Sequence, residues 1–390
     1  MAGEPMLQSL TGATHFAHGP GCARQLHGWL EPYAGRGSLV ILSGRGLPGR
    51  MGPGRDLLDR LRAAFPASLH FALGGEPSDL WVDEIRQGLR GETVAAVISI
   101  GGGSVLDGGK ALAALLTESG TACEFLEGVG SRTPGGGMLP WFALPTTAGT
   151  GSEASTNAVL GRPGPAGFKK SLRHPAYRAT GILLDAELGH DLPPLWTAAC
   201  GMDAITQLFE SWSSTQVPPD LKPHLEQALL QAIPALPRLV DEGSAAPLGL
   251  RQQLLDAACL SGVGLTRAGL GTCHGLAGPV GAVLPIPHGI ICARLMGPCL
   301  RETLDWLEAH PGNSPGALDD FRRLFRSLRA GFADPLEEIL SWADRFQIPD
   351  FSQWHPRPED LEAILAQAKD RNSPAALGET VWRRLLQEAC

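Results

Sequence analysis

Val94-Ala95-Ala96-Val97-Ile98-Ser99-Ile100 leads straight into Gly101-Gly102-Gly103-Ser104, and residues 104–117 follow with helical spacing. A short, continuous apolar run that ends in glycines and hands over to a helix reads as a strand buried on both faces. The same unit recurs on either side of it. Strands are expected at 38–43, 69–73, 141–145 and 180–185, with helices at 56–65 and 80–89. Continuous apolar strands separated by helices predict a parallel sheet covered on both faces. Beyond Asp185 the pattern changes to helical spacing at 196–211, 225–240, 248–265 and 317–330, with no strand pattern between. Pro234 and Pro237 are expected to kink or break the second of these. Segments 311–316 and 347–358 read as loops. The expected organisation is an α/β domain over residues 1–190 and a helical domain over residues 191–390.

Composition narrows the function classes. The chain has 390 residues, 43% hydrophobic, with a net charge of −8. That balance argues against a nucleic-acid or anionic-membrane surface. No apolar stretch reaches the roughly 18 residues of a membrane span. Residues 1–10 carry Glu4 and lack the basic-then-apolar order of a signal peptide. Most of the eight cysteines read as small buried hydrophobes, and none forms a Cys-x-x-Cys pair. A reduced, cytoplasmic protein is expected. The 50 glycines and 32 prolines are not a sign of disorder at this apolar content, so some glycines need a structural reason.

Two segments suit nucleotide chemistry. Gly101 to Ser104 would let backbone approach a phosphate closely, and the helix that follows offers unpaired N–H groups and a partial positive charge. Asp107 falls in the first turn of that helix. Thr146-Thr147-Ala148-Gly149-Thr150-Gly151-Ser152-Glu153 also follows a strand. Its hydroxyls and glycines suit a second phosphate or ribose contact, and equally an ordinary turn with helix-capping hydroxyls. A third set suits a metal. Asp203 and Gln207 lie one turn apart on one helix face. Gly271-Thr272-Cys273-His274-Gly275 and Pro287-His288-Gly289 place two histidines fourteen residues apart. A carboxylate with imidazoles is a divalent-metal ligand set, although each histidine alone reads as readily as a hydrogen-bonded residue.

Together these segments resemble the iron-containing (group III) alcohol dehydrogenase family. The family run Gly-Gly-Gly-Ser-x-x-Asp-x-x-Lys is matched from Gly101 to Lys110, and Pro-Thr-Thr-Ala-Gly-Thr-Gly-Ser-Glu from Pro145 to Glu153 without a change. The Gly-Met-Asp-Ala helix start and the His-Gly and Pro-His-Gly pair follow in order. The resemblance implies an N-terminal α/β Rossmann-like dinucleotide-binding domain and an all-α C-terminal metal-binding domain, the dehydroquinate synthase-like architecture, with a cleft between them. It implies NAD- or NADP-linked interconversion of a small alcohol and its aldehyde or ketone, and a homodimer. Gly102, Gly103 and Ser104 fall on pyrophosphate-binding positions. Asp107, Thr146, Thr147, Thr150, Ser152, Asn157, Lys169 and Leu188 fall on other cofactor positions. Asp203, Gln207, His274 and His288 fall on the metal positions, for Fe²⁺ or Zn²⁺, with Asp203, His274 and His288 as the catalytic set.

The departures from the family pattern are informative. Gln207 stands where the family has a histidine; an amide oxygen is a weaker ligand than imidazole, but three retained ligands satisfy a catalytic zinc site. Gly278 stands where the family commonly has a second histidine, which widens the pocket and removes a titratable group from the proton path. Trp212 and Trp141 are candidates for the wall of that pocket. Gly44 stands where the family often has an aspartate that would repel a 2′-phosphate. Without that carboxylate NADP(H) is admissible, and Arg45 is placed to pair with its phosphate. Two other enzyme readings stay open: a metal-independent reductase like maleylacetate reductase, and a lyase like dehydroquinate synthase, for which Lys169, Lys170 and Arg173 would supply a basic pocket. A degenerate nucleotide-binding protein is the reading from another class.

Overall fold

The computed structural model describes residues 4–49, 51–164 and 167–390. They group by contact into two compact units, and the division is not a single cut along the chain. The first unit takes the chain up to Arg162, with Lys170–Leu192 and Pro247–Val263. The second takes Pro163–Lys169, Pro193–Ala246 and Gly264–Cys390.

The described residues hold eight strands, β1 (His15–His18), β2 (Ser38–Gly44), β3 (Leu69–Leu73), β4 (Val94–Gly101), β5 (Trp141–Pro145), β6 (Asn157–Arg162), β7 (Phe168–Arg173) and β8 (Gly181–Leu184), all in the first unit except the first two residues of β7. Six of them form a sheet in the order β1-β8-β5-β4-β2-β3, and every pairing is parallel. Helices α1 (Glu4–Thr11), α2 (Leu26–Leu30), α3 (Pro53–Ala64), α4 (Asp79–Gly88) and α5 (Gly103–Leu115) accompany the strands. Leu39, Ile41, Ile98, Ile100, Phe142 and Leu183 pack into one core and are almost fully buried. Each such side chain contributes about 1.5–3 kcal/mol by leaving water.

The chain steps from β2 out to β3, returns to β4, and continues through β5 to β8 on the other side. The direction of winding therefore reverses between β2 and β4, and in open parallel sheets ligands bind at the carboxyl ends beside such a reversal. Register brings those ends level: Ser43 pairs with Ile100, and Gly101 with Pro145.

The five strands expected from apolar runs are all present. β1, β6 and β7 were not expected, because His15-Phe-Ala-His18 is short and flanked by histidines, and Phe168-Lys-Lys-Ser-Leu-Arg173 is largely polar. β1 is fixed by pairing with β8, and β6 pairs with β7 in a separate two-stranded sheet.

The later helices are α6 (Pro194–Ser213), α7 (Lys222–Glu242), α8 (Leu248–Arg267), α9 (Thr272–Val283), α10 (His288–Ala309), α11 (Ala317–Leu328), α12 (Pro335–Arg345), α13 (Pro358–Leu365) and α14 (Gly378–Glu388). Among the described residues no strand follows β8. α7 runs through Pro234 and Pro237 without the expected break. Leu225, Leu229, Ile233, Leu236 and Leu239 are buried along it, and that packing offsets the backbone hydrogen bonds the prolines remove. α9 and α10 likewise contain Pro279 and Pro298, which is why their spacing does not read as helical in the sequence.

Candidate functional site

In the first unit, β4 ends at Gly101 and α5 begins at once, with Gly102 as its N-cap. The first N–H groups of such a helix have no intrahelical acceptor and face an incoming anion. A Cβ on Gly103 would lie 2.4 Å from Thr150 Oγ1, and one on Gly102 would lie 3.1 Å from Thr147 Oγ1. The glycines are required because the threonine loop closes directly over them. Gly102, Gly103, Thr147 and Thr150 thus lie together, with Ser104 in the same first turn.

The loop after β5 is pinned from below. The Lys110 ammonium is fully buried and donates to the carbonyls of Ser152 at 2.6 Å, Asn157 at 2.7 Å and Ser155 at 2.9 Å. Burial pulls Lys110 down to about 8, so it stays protonated at neutral pH. Burial also pushes the neighbouring Glu153 up to about 7. Asp107 accepts the Ser152 hydroxyl on one oxygen and the Val159 N–H at 3.1 Å on the other. Asp107 and Ser152 therefore brace the loop through each other. Asn157 donates to Ser171 Oγ at 3.2 Å, and its buried Oδ1 has no protein partner. Thr146 and Leu188 line an open groove with Leu47, Gly52, Arg55 and Gly189.

Gly44 ends β2, and a Cβ there would meet nothing within 4 Å. A side chain would fit, so no close contact accounts for this glycine. The Arg45 guanidinium lies against Gly74, 2.7 Å from where its Cβ would be. Lys169 is grouped by its contacts with the second unit: its Nζ is 3.2 Å from a Cβ position on Gly281.

In the second unit, α6 carries Asp203, Gln207 and Glu210 on one face, spaced four and three residues apart. Asp203 and Gln207 are buried. His274 is held at the start of α9 by Glu210. One Glu210 oxygen accepts the Cys273 N–H at 2.6 Å, and the other lies 2.6 Å from His274 Nδ1. A carboxylate on Nδ1 fixes the imidazole tautomer and leaves Nε2 as a donor for a metal. His274 Nε2 lies 3.2 Å from Asp203 Oδ1, and His288 Nε2 lies 3.9 Å from the same oxygen. A fourth group completes the cluster: Cys292 Sγ is 3.5 Å from His274 Nε2 and 3.6 Å from His288 Nε2. Donor atoms of Asp203, His274, His288 and Cys292 all fall within 4.8 Å of one another.

This donor set fits a divalent cation. A buried carboxylate and two imidazoles with converging lone pairs are costly unless protons or a metal bridge them. Burial pushes Asp203 above the usual carboxylate range. Burial alone would lower His274, but the charges of Cys292 and Glu210 and the hydrogen bond to Asp203 outweigh it and hold the ring well above the imidazole range. Protons and a metal compete for these same atoms. Gln207 Oε1 is buried without a protein partner, which leaves it available to a bound ion or water.

Glycines flank the histidines because backbone comes close: a Cβ on Gly275 would lie 1.8 Å from the Lys369 carbonyl, and one on Gly289 would lie 3.2 Å from that of Ala199. Gly278 is different. A Cβ there would meet only Arg371 Nη2, at 4.0 Å, so its side is open. Trp141 and Trp212 are not pocket walls. Both are fully buried, with their indole N–H groups on Ser99 and Glu226.

Glu210 and Cys292 were not singled out from the sequence. Glu210 was legible as the next residue on the Asp203–Gln207 face. Cys292 sits one turn after His288, a relation that appears only once α10 is known to be helical.

Comparison with known proteins agrees with both halves. The model of the family "Iron-containing alcohol dehydrogenase" matches residues 13–186, and that of "Fe-containing alcohol dehydrogenase family, C-terminal" matches residues 197–376. The probable alcohol dehydrogenase EutG of Salmonella typhimurium is 36% identical over 222 residues, 57% of this chain and 55% of that protein. The 1-propanol dehydrogenase PduQ of the same organism is 31% identical over 249 residues, 63% of this chain and 62% of that protein. The matched region thus spans little more than half the length of these relatives. Among solved structures, a 1,3-propanediol oxidoreductase superposes with a TM-score of 0.79 at 23% identity, covering 97% of this chain and 98% of that one. A sulfoacetaldehyde reductase of Bifidobacterium kashiwanohense in complex with NAD⁺ gives 0.79 at 21% identity, covering 96% of each chain. At these identities the likeness is one of fold. With both family models matched in order over nearly the whole length, this chain belongs to the iron-containing alcohol dehydrogenase family.

Proposed function

We propose that this protein is a metal-dependent, NAD(P)-linked oxidoreductase that interconverts a small alcohol and its aldehyde or ketone by hydride transfer. The observation that carries the reading is the buried convergence of Asp203, His274 and His288, with His274 oriented by Glu210. A divalent metal held there supplies Lewis-acid polarisation of the substrate oxygen.

The chain's own residues supply the rest. The α5 N-terminus with Gly102, Gly103 and Ser104 takes the pyrophosphate, and Thr147 and Thr150 close over it. Thr146 and Leu188 line the cofactor groove, while Asp107, Ser152 and Asn157 hold the loop in shape. Gly44 and Arg45 support acceptance of NADPH, since no carboxylate follows β2 to repel a 2′-phosphate. Lys169 adds positive charge beside His288. Gly278 leaves the substrate side open and removes a titratable group, so the proton passes through solvent or another side chain.

The competing enzyme readings fit less well. A metal-independent reductase has no use for the retained donors. A dehydroquinate synthase-like lyase needs a free basic pocket, whereas Arg173 donates to Glu127 at 2.9 Å. The reading extends to a cytoplasmic homodimer. Eight free cysteines support the compartment, and the family resemblance supports the dimer.

The test is oxidation of NADH and NADPH with a panel of aldehydes, before and after chelation, with cofactor binding measured in parallel. Activity should vanish on chelation, return with Zn²⁺ or Fe²⁺, and be lost in Asp203→Ala with cofactor binding intact. Full turnover without stoichiometric metal would overturn the reading.

A further inference from the structure

We propose that Cys292 is the fourth metal ligand of this protein, completing an Asp203–His274–His288–Cys292 set in place of the imidazole missing at Gln207. This rests on the metal reading above and specifies the donors; the substrate oxygen would then enter as a fifth ligand, an expansion that zinc allows.

The spacing of the donor atoms is the first ground. With Zn–N of about 2.0–2.1 Å and Zn–S of about 2.3 Å, a tetrahedral site has N···S edges of about 3.6 Å and N···O edges of about 3.3 Å. The observed S···N edges are 3.5 Å and 3.6 Å, and the His274–Asp203 edge is 3.2 Å. The His288–Asp203 edge, at 3.9 Å, is longer, and the remaining edges are bounded by the 4.8 Å within which all four donor atoms lie.

The second ground is position. His288 and Cys292 are one turn apart on α10, so the helix projects both side chains to one face. Cys292 is fully buried there, with both ring nitrogens and the Cys273 thiol beside its sulfur.

The third ground is charge. Asp203 with a Cys292 thiolate balances a dication, whereas Asp203 with the neutral amide of Gln207 leaves a buried positive charge uncompensated. Glu210 on His274 and Lys169 near His288 add one charge of each sign.

Cobalt substitution tests this without turnover. Protein loaded with Co²⁺ should show visible d–d bands and, in the near ultraviolet, a sulfur-to-cobalt charge-transfer band. That band should persist in Cys273→Ala and Gln207→Ala and disappear in Cys292→Ala. Zinc affinity by chelator competition should fall at least about 100-fold in Cys292→Ala and less than about tenfold in Gln207→Ala, since loss of a direct ligand exceeds the 10–100-fold effect of outer partners. Bound cobalt with d–d bands but no charge-transfer band in the unaltered protein overturns the assignment while leaving the metal reading intact. Failure of both cobalt and zinc to bind overturns the metal reading, and the assignment with it.

Discussion

Glu210 shows how much of a metal site lies outside its ligands. It accepts one backbone N–H at the head of α9 and grips His274 Nδ1 with its other oxygen. The first contact places the helix and the second chooses the tautomer. Glu210→Gln keeps the size but can present an N–H to Nδ1, which would favour the ring with its proton on Nε2. Zinc affinity should fall about 10–100-fold, the usual cost of losing such a partner, as read by chelator competition. Unchanged affinity would show that Glu210 only caps the helix. Gly44 and Gly278 are the opposite kind of residue. Neither is demanded by a close neighbour: a side chain at either position would fit.

At the scale of elements, the loop between β5 and β6 is fixed from two directions. Lys110 on α5 gathers its carbonyls. On another side α8 meets it at Gly262, where a Cβ would lie 1.9 Å from the Gly151 carbonyl. Gly151 itself has a φ of +61°, a left-handed conformation that glycine adopts without strain. Glu153 ends the Pro145–Glu153 motif and is buried, and burial pushes its carboxyl up to about 7. A raised carboxyl means the folded state binds more protons than the unfolded one, so its contribution is full at acid pH and is lost as pH rises toward 7. Denaturation midpoints followed from the usual glutamate range up to pH 7 should therefore decline in the unaltered protein. Glu153→Gln should remove that part of the decline and be the more stable of the two at pH 7. An identical slope in both proteins would assign the pH dependence elsewhere.

For the whole molecule, metal binding is linked to folding, because the four donors come from α6, α9 and α10 and converge only in the native state. A ligand bound only by the native state adds RT ln(1 + [L]/Kd), about 2.7 kcal/mol at a hundredfold excess over Kd. Zinc at that excess should raise the resistance to urea by this amount, and chelator should reverse it. Asp203→Ala should show no zinc-dependent shift. If the unaltered protein also shows none, the cluster is a set of buried pairs and not a metal site.

The sequence by itself determined the parallel sheet, the helical second half, the glycine turn, and the identities of Asp203, His274 and His288. Apolar strand runs, glycines at chain reversals and a strict order of motifs are local signals, and each survives in one dimension. The sequence did not reveal β1, β6 and β7, whose residues are polar and whose pairing alone makes them strands. It also did not reveal that α7 continues through two prolines, because burial of its leucines overrides a local penalty. Tertiary structure alone decided the composition of the metal cluster. Glu210 lies sixty-four positions from His274 and Cys292 eighteen, and neither separation carries a periodic trace. Only when α9 and α10 form and dock against α6 do a carboxylate and a thiol without any motif of their own become partners of the same histidine.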